Sequence, residues 1–209
     1  MFTGLLEAKL MKSHHLPLLF SILLFCLPAS LVCAPQNAPQ KKDLQGSLKL
    51  IRYLVIDVDS VLTDGGLYYA SSGEALKRFH VLDNVGIDLL HKAEIEVVLV
   101  SLDNSPITKT WAEERGIEQM MLGLQSKEEV IRDLARHMII TPNRIAYLGG
   151  DIDDLPAMKK AGVSACPSGA PDAVKAACSY VSSTPAGAGV VREFAELLLR
   201  AQGKREGAP

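Results

Sequence analysis

Short apolar runs and amphipathic segments alternate along the chain from Leu50 onward. The apolar runs predict strands over residues 51–57, 96–101, 119–122, 144–149, 162–166 and 179–182. The amphipathic segments predict helices over residues 85–93, 106–115, 127–137, 155–161, 171–177 and 191–201. This order is typical of βα units. We therefore predict an α/β fold with a Rossmann-like, three-layer arrangement around a parallel sheet.

The segment after the first predicted strand has the pattern of a β-hairpin. Residues 65–69 and 76–79 supply two short arms, and Ser71-Ser72-Gly73 supplies the turn between them. The intervals between the other predicted elements are short. We therefore predict that the domain has no large inserted cap and carries only this hairpin after its first strand.

The first 40 residues differ from the rest. Residues 16–34 are almost wholly apolar, follow Lys9 and Lys12, and precede a polar linker that contains proline. This layout is that of a secretory signal peptide or a signal anchor, and an upstream region with no targeting role is the alternative. We predict a signal-like segment and linker over residues 1–40 and a folded domain over residues 48–204. Any membrane contact is expected only through residues 16–34.

Composition narrows the class of protein. The chain has 209 residues and a net charge of -2, and it shows no basic patch, so it is not expected to bind nucleic acid. Its four cysteines have no metal-ligand spacing, and Cys166 and Cys178 are expected to be free thiols. Glu193, on the last predicted helix, is expected to be a solvated charge.

Carboxylates follow the first predicted strand. Asp57 and Asp59 lie two positions apart, so they share one face of the strand end, where active sites of parallel sheets gather. A hard cation such as Mg²⁺ can hold such a pair together with a phosphate group. Asp57 can then attack phosphorus to form an aspartyl-phosphate, while Asp59 protonates the leaving alcohol and later activates water.

Other polar residues follow later strands. Ser101 ends one strand and offers a hydroxyl to phosphate oxygens, while Lys127 begins a predicted helix and can neutralise charge on the phosphate and on Asp57. Asp151, Asp153 and Asp154 follow a third strand. Each signal alone is more often an ordinary helix cap or a solvated charge than part of a site. Their order along the chain is the more specific feature.

This order resembles the 3-deoxy-D-manno-octulosonate 8-phosphate phosphatase family, whose members are capless haloacid dehalogenase superfamily proteins. The matching stretches include DVDSVLTDGGLYY, GEALKRFHVLDNVGIDLL, QSKEEVI and AYLGGDIDDLPAMKKAGVS. The resemblance implies a haloacid dehalogenase-type fold and Mg²⁺-dependent hydrolysis of a small phosphorylated sugar or sugar acid in lipopolysaccharide biosynthesis. It also implies a homotetramer, in which hairpins form a central barrel and each active site is partly closed by a neighbouring subunit.

The resemblance implies roles for individual positions. It suggests Asp57, Asp59 and Lys127 as catalytic residues, Asp57, Asp59 and Asp151 as Mg²⁺ ligands, Ser101, Thr63 and Asp83 as substrate contacts, and Asp154 as a supporting residue.

Several positions depart from the family's motifs. Ser60 replaces the glycine of Asp-x-Asp-Gly, and three cationic positions become Leu82, Asp103 and Ala188. A substrate carboxylate would therefore have fewer cationic side chains to bind in this chain than in other members of the family. The first aspartate of the family's Gly-Asp-Asp motif, a metal ligand there, falls on Gly150. Either Asp151 reaches the metal by a one-residue shift, or Mg²⁺ keeps an extra water.

Two alternatives to a phosphatase of sugar acids remain. The departures from the motifs fit a catalytically weakened oligomerisation module like that of the CMP-sialate synthetases, and the apolar segment 16–34 fits an exported phosphatase of broad specificity. The predicted localisation also has two alternatives. The family works in the cytoplasm, whereas residues 16–34 predict export or membrane anchoring.

Overall fold

The structure is a computed structural model that describes residues 43–204, without the side chains of residues 74 and 75. The predictions made for residues 1–40 lie outside the described residues. Within the described part, no helix is long and apolar enough to cross a membrane.

A six-stranded parallel sheet forms the centre of the described domain. Its strands are β1 (Tyr53–Asp57), β4 (Glu96–Val100), β5 (Gln119–Met121), β6 (Ile145–Leu148), β7 (Val163–Cys166) and β8 (Tyr180–Val181). They lie in the order β5-β4-β1-β6-β7-β8. A separate antiparallel pair, β2 (Tyr68–Ala70) and β3 (Gly73–Leu76), makes the hairpin after β1. The predicted α/β class, parallel sheet and hairpin are therefore confirmed.

Helices cover both faces of the sheet. They are α1 (Leu44–Leu50), α2 (Val81–Lys92), α3 (Pro106–Glu114), α4 (Val130–His137), α5 (Leu155–Lys160), α6 (Asp172–Ala177) and α7 (Val190–Ala201). Alternate residues of β1 enter different cores: Leu54 and Ile56 pack in one and Val55 in the other. This division follows from the two-residue period of a strand. The result is the predicted three-layer arrangement.

Local contacts move several element boundaries away from the predicted ones. Helix α1 was not predicted, and the hairpin arms lie at 68–70 and 73–76. Helix α2 begins four residues early because the His80 side chain accepts the Leu82 N–H and caps it. Helix α4 begins at Val130 rather than at residue 127, and Lys127 in the preceding turn is buried at the carboxyl edge of the sheet.

Glu193 on α7 is not a solvated charge, so that expectation is wrong. Its carboxylate accepts hydrogen bonds from Tyr180 Oη at 2.6 Å, Thr184 Oγ1 at 2.6 Å and the Ser183 backbone N–H at 2.9 Å. Burial acts to raise the pKa of Glu193, but these hydrogen bonds outweigh it and lower the pKa to about 2. Glu193 therefore fixes the segment between β8 and α7.

Replacing Glu193→Gln should destabilise the protein at neutral pH by about 1–2 kcal/mol, because hydrogen bonds to a charged acceptor are lost. A carboxylate with a lowered pKa stabilises the fold above its ordinary pKa of 4.5, and this stabilisation is lost as the pH falls toward 2. The difference between the two proteins should therefore shrink toward pH 3. Denaturant unfolding at pH 7 and pH 3 measures it, with the exposed Glu113→Gln as control. Equal stability of parent and Glu193→Gln at pH 7 would contradict this role.

Candidate active site

The carboxyl ends of β1, β4 and β6 meet at one edge of the sheet, and a cavity of about 520 Å³ opens there. Among the described residues, its walls include one lysine, Lys127, and six aspartates: Asp57, Asp59, Asp64, Asp103, Asp151 and Asp153. The hairpin contributes Tyr69, and the loop before it contributes Leu67. So acidic a cavity can accept a phosphate only if a cation accompanies it.

Asp57 ends β1 and is buried beneath the cavity. Its Oδ2 accepts hydrogen bonds from the backbone N–H of Ser60 at 2.8 Å and from Ser60 Oγ at 2.5 Å, while Oδ1 lies 2.6 Å from Lys127 Nζ. Burial and, to a smaller extent, the charge of Asp154 raise the pKa of Asp57 to about 6, although the Lys127 ammonium opposes both. The side chain is therefore held in one orientation.

Lys127 lies between two buried carboxylates. Its Nζ is 2.6 Å from Asp57, 2.9 Å from Asp154 and 3.3 Å from Asp153. Burial alone would lower the pKa of Lys127, but the charges of Asp57 and Asp154 outweigh it and raise the pKa above its usual value. The ammonium consequently stays charged beside Asp57.

Asp154 is fully buried and has a partner on each oxygen. Oδ2 accepts the backbone N–H groups of Gly150 and Asp151, and Oδ1 accepts Tyr147 Oη at 2.7 Å in addition to Lys127. It therefore orients Lys127 and the loop after β6 and does not face the cavity. The supporting role expected for Asp154 stays a prediction.

Asp59 lies two residues after Asp57 and lines the cavity. Its Oδ1 is 2.7 Å from Lys77 Nζ, and its Oδ2 accepts a hydrogen bond from Ser101 Oγ at 2.6 Å. Lys77 also contacts Asp103 at 2.8 Å, and its side chain is almost fully buried. The hairpin thus brings a cation into the site, which the sequence did not indicate because an isolated lysine after a strand has no distinctive pattern.

Three residues that were expected to contact the substrate, Ser101, Thr63 and Asp83, do not line the cavity. Ser101 is buried and orients Asp59, while Thr63 Oγ1 donates to the Asp59 carbonyl oxygen and accepts the Gly65 N–H. Asp83 is fully buried, and its carboxylate accepts the N–H groups of Gly189 and Val191 at the start of α7. In this structure their side chains make contacts that position Asp59 and the start of α7.

The residues expected to bind Mg²⁺ are only partly brought together. Asp57, Asp59 and Asp151 all line the cavity, yet no group of three or more His, Cys, Asp or Glu among residues 43–204 is placed to hold one metal ion. Asp151 instead caps the following turn, where its Oδ1 accepts the Ile152 N–H at 2.6 Å. Mg²⁺ commonly binds one or two carboxylates and completes its shell with water and phosphate, so this acidic cavity fits such an ion.

Cys166 and Cys178 are free, as expected. Arg78, at the end of the hairpin, contacts Asp64 at 3.2 Å and donates to the carbonyl oxygen of Gly187 at 3.1 Å. Arg78 was not among the expected site residues, because it meets Asp64 and Gly187 across 14 and 109 residues of chain, and Ser60 was noted only as the residue that replaces the motif's glycine.

An aspartate beside a buried lysine, at the carboxyl edge of a parallel sheet without a large cap, defines a haloacid dehalogenase-like hydrolase. The model of that family, described as haloacid dehalogenase-like hydrolase, matches residues 82–194. The 3-deoxy-D-manno-octulosonate 8-phosphate phosphatase of Haemophilus influenzae is 42% identical over 161 residues, which cover 77% of this chain and 89% of the relative. The corresponding protein of Escherichia coli (strain K12) is 35% identical and covers 81% of this chain and 90% of its own.

Solved structures agree. The cobalt-bound H. influenzae phosphatase has a TM-score of 0.73 at 41% identity, covering 75% of this chain and 92% of that one. The phosphatase of Moraxella catarrhalis, in complex with a magnesium ion, a phosphate ion and a KDO molecule, has a TM-score of 0.74 at 30% identity, covering 76% of this chain and 91% of that one. This chain belongs to the 3-deoxy-D-manno-octulosonate 8-phosphate phosphatase family.

Proposed function

We propose that this protein is a Mg²⁺-dependent phosphomonoesterase that releases phosphate from 3-deoxy-D-manno-octulosonate 8-phosphate, a reaction that supplies lipopolysaccharide biosynthesis. The observation that carries the proposal is the Asp57–Lys127 contact of 2.6 Å in a cavity that Asp59 also lines. The phosphatases to which the chain is similar support the choice of substrate. They do not favour a weakened oligomerisation module.

The reaction uses two carboxylates in sequence. An oxygen of Asp57 attacks phosphorus, and the bond from phosphorus to the sugar oxygen breaks as that oxygen takes a proton from Asp59. Asp59 then takes a proton from water, which attacks the aspartyl-phosphate, releases inorganic phosphate and restores Asp57. Asp57, Asp59 and Asp151 are the candidate residues that would hold a Mg²⁺ ion, which would supply positive charge against the phosphate.

The surrounding residues fix these groups. Lys127 neutralises charge as Asp57 approaches the phosphate, and Asp154 keeps Lys127 in place. Ser101 and Lys77 hold the Asp59 carboxylate from two sides, so it meets the leaving oxygen in one orientation. We assign Thr63 and Asp83 to positioning, because they hold the backbone of Asp59 and the start of α7 respectively.

Arg78 supplies a cation for the carboxylate of the substrate. The family's arginine at this end of the site falls on Ala188, but Arg78 reaches the same loop through the Gly187 carbonyl oxygen. Half of its side chain is exposed, and its partner Asp64 lines the cavity. A guanidinium at this rim can bind a carboxylate with paired hydrogen bonds.

Exposed apolar side chains on and beside the hairpin support self-association. Leu67, Tyr69 and Leu76 are 61%, 70% and 63% exposed, and Val81 at the start of α2 is also exposed. Such a patch on a soluble domain marks an interaction surface. The proposed occupant is a second copy of this chain, as the resemblance to tetrameric phosphatases predicts.

The nucleophile is tested by Asp57→Asn. This variant should lose Mg²⁺-dependent phosphate release from 3-deoxy-D-manno-octulosonate 8-phosphate by about 10⁴-fold or more, because no aspartyl-phosphate can form. A phosphate-release assay measures this, and the exposed Asp172→Asn serves as the matched control. Melting temperatures confirm folding. Retained activity in a folded Asp57→Asn would sink the proposed mechanism.

The role of Arg78 is tested with two substrates. Arg78→Ala should raise KM for 3-deoxy-D-manno-octulosonate 8-phosphate by about tenfold or more, since a hydrogen bond between charged groups contributes about 1.5–3 kcal/mol. Kinetics with p-nitrophenyl phosphate, which has no carboxylate, should be unchanged. Arg132→Ala, at an exposed site on α4, is the control. An equal rise in KM for both substrates would argue against carboxylate recognition.

Oligomerisation is tested by placing a charge on the hairpin. Leu76→Lys should break the oligomer, because the lysine would be buried without a partner in the interface. Size-exclusion chromatography with light scattering gives the mass, and Ile139→Lys at another exposed apolar position is the control. A parent protein that is monomeric at micromolar concentration would refute the proposed interface.

A further inference from the structure

Ser60 and Gly150 touch across the centre of the site. A Cβ atom on residue 150 would lie 2.4 Å from the Ser60 carbonyl oxygen and 2.9 Å from both its Cβ and its Oγ. Side chains do not tolerate such distances, so residue 150 has no room for one while the Ser60 segment keeps its place. The turn after β1 and the loop after β6 are therefore closer than any other residue at position 150 would allow.

The Ser60 hydroxyl connects these two segments. It lies 2.5 Å from Asp57 Oδ2 and 3.3 Å from Asp154 Oδ2, and it accepts the Gly150 N–H at 2.9 Å. A hydroxyl carries one proton, and the shorter distance assigns that proton to Asp57. Ser60 thus links the nucleophile to the loop after β6 through hydrogen bonds, without adding a charge that a cation could use.

The loop after β6 has little else to offer a cation. Asp154 is occupied on both oxygens, Asp153 lies 3.3 Å from Lys127, and Asp151 caps its own turn. Among the described residues, every carboxylate of this loop already has a partner, so a divalent ion beside Asp57 and Asp59 gains Asp151 as a ligand only if its capping contact opens, and it otherwise completes its shell with water or phosphate. Fewer charged ligands give weaker binding of the ion by itself.

We propose that Ser60 is a positioning residue that acts together with Gly150. Its hydroxyl holds the nucleophile Asp57 against the loop after β6, in the space where a carboxylate at position 150 would otherwise hold a divalent cation. The proposal deepens the phosphatase function and rests on it. Its consequence is that the cation binds weakly to the free protein and tightly only together with a phosphate group.

The first test measures Mn²⁺ binding to the full chain by calorimetry, with and without inorganic phosphate. Phosphate should tighten Mn²⁺ binding by about tenfold or more, which lies within the usual range of coupling between two ligands. Equal affinity with and without phosphate would overturn the proposal.

The second test changes the pair. The double variant Ser60→Gly/Gly150→Asp loses the hydroxyl link, so the two segments can separate to admit a carboxylate, and it should bind Mn²⁺ alone about tenfold more tightly than the parent. Gly150→Asp alone should show no such gain, because the intact hydroxyl link keeps the Ser60 backbone and side chain against residue 150. Ile152→Asp adds the same charge to the same loop at an exposed position and is the control. A folded double variant with parental affinity would overturn the proposal, as would Gly150→Asp alone binding as tightly as the double variant.

A third comparison applies even if the aspartate variants fail to fold. Ser60→Ala should lower the melting temperature by about 2–4 °C and weaken the coupling between Mn²⁺ and phosphate, whereas Ser60→Thr, which keeps the hydroxyl, should restore both. Parental behaviour of Ser60→Ala would count against the pair. Mn²⁺ binding without phosphate involves no turnover, so a failure to hydrolyse the sugar phosphate would overturn the proposed function while leaving this comparison intact.

Discussion

A lysine buried between two carboxylates is the constraint on which the rest of this site depends. Lys127 contacts both Asp57 and Asp154, and all three side chains are almost or fully removed from solvent. Buried charges are expensive, and removing one partner of such a pair typically costs about 3–5 kcal/mol. The arrangement persists because hydrogen bonds from Tyr147, Gly150 and Asp151 satisfy the remaining oxygens of Asp154. Because the turn that contains Lys127 precedes α4, this helix begins only at Val130.

The same network explains the chemistry of the cavity. Since Lys127 is shared with Asp154, it neutralises Asp57 only in part, and the cavity wall carries five further aspartates. A phosphorylated sugar acid brings still more negative charge. Besides a bound metal ion, the hairpin brings two cations to this acidic site: Lys77 beside Asp59, and Arg78, which we propose binds the substrate carboxylate. In this chain the hairpin serves the site as well as the proposed interface between copies.

The predictable part of the site is the part encoded locally. Asp57 and Asp59 could be identified from a strand followed by carboxylates at alternate positions, and the ends of parallel strands predicted that Lys127 and Asp151 would approach them. Lys77 could not be found in this way, because its Nζ reaches Asp59 across 18 residues of chain. Glu193 was assigned to solvent for a similar reason: its partners Tyr180, Ser183 and Thr184 meet it only when β8 packs beside α7.

By itself the sequence determined the α/β class, the six strands, the hairpin and the order of the catalytic motifs, because alternation of apolar runs and the residues after each strand are local properties. Only the tertiary structure decided which polar groups form hydrogen bonds or ion pairs with each other and which positions have room for a side chain. Gly150 illustrates the division. In the sequence motif, Gly150 stands where the family has a carboxylate. In the folded chain, the Ser60 hydroxyl occupies the space beside Gly150 and accepts a hydrogen bond from the Gly150 N–H. Close packing between distant segments sets such contacts, and no local pattern records them.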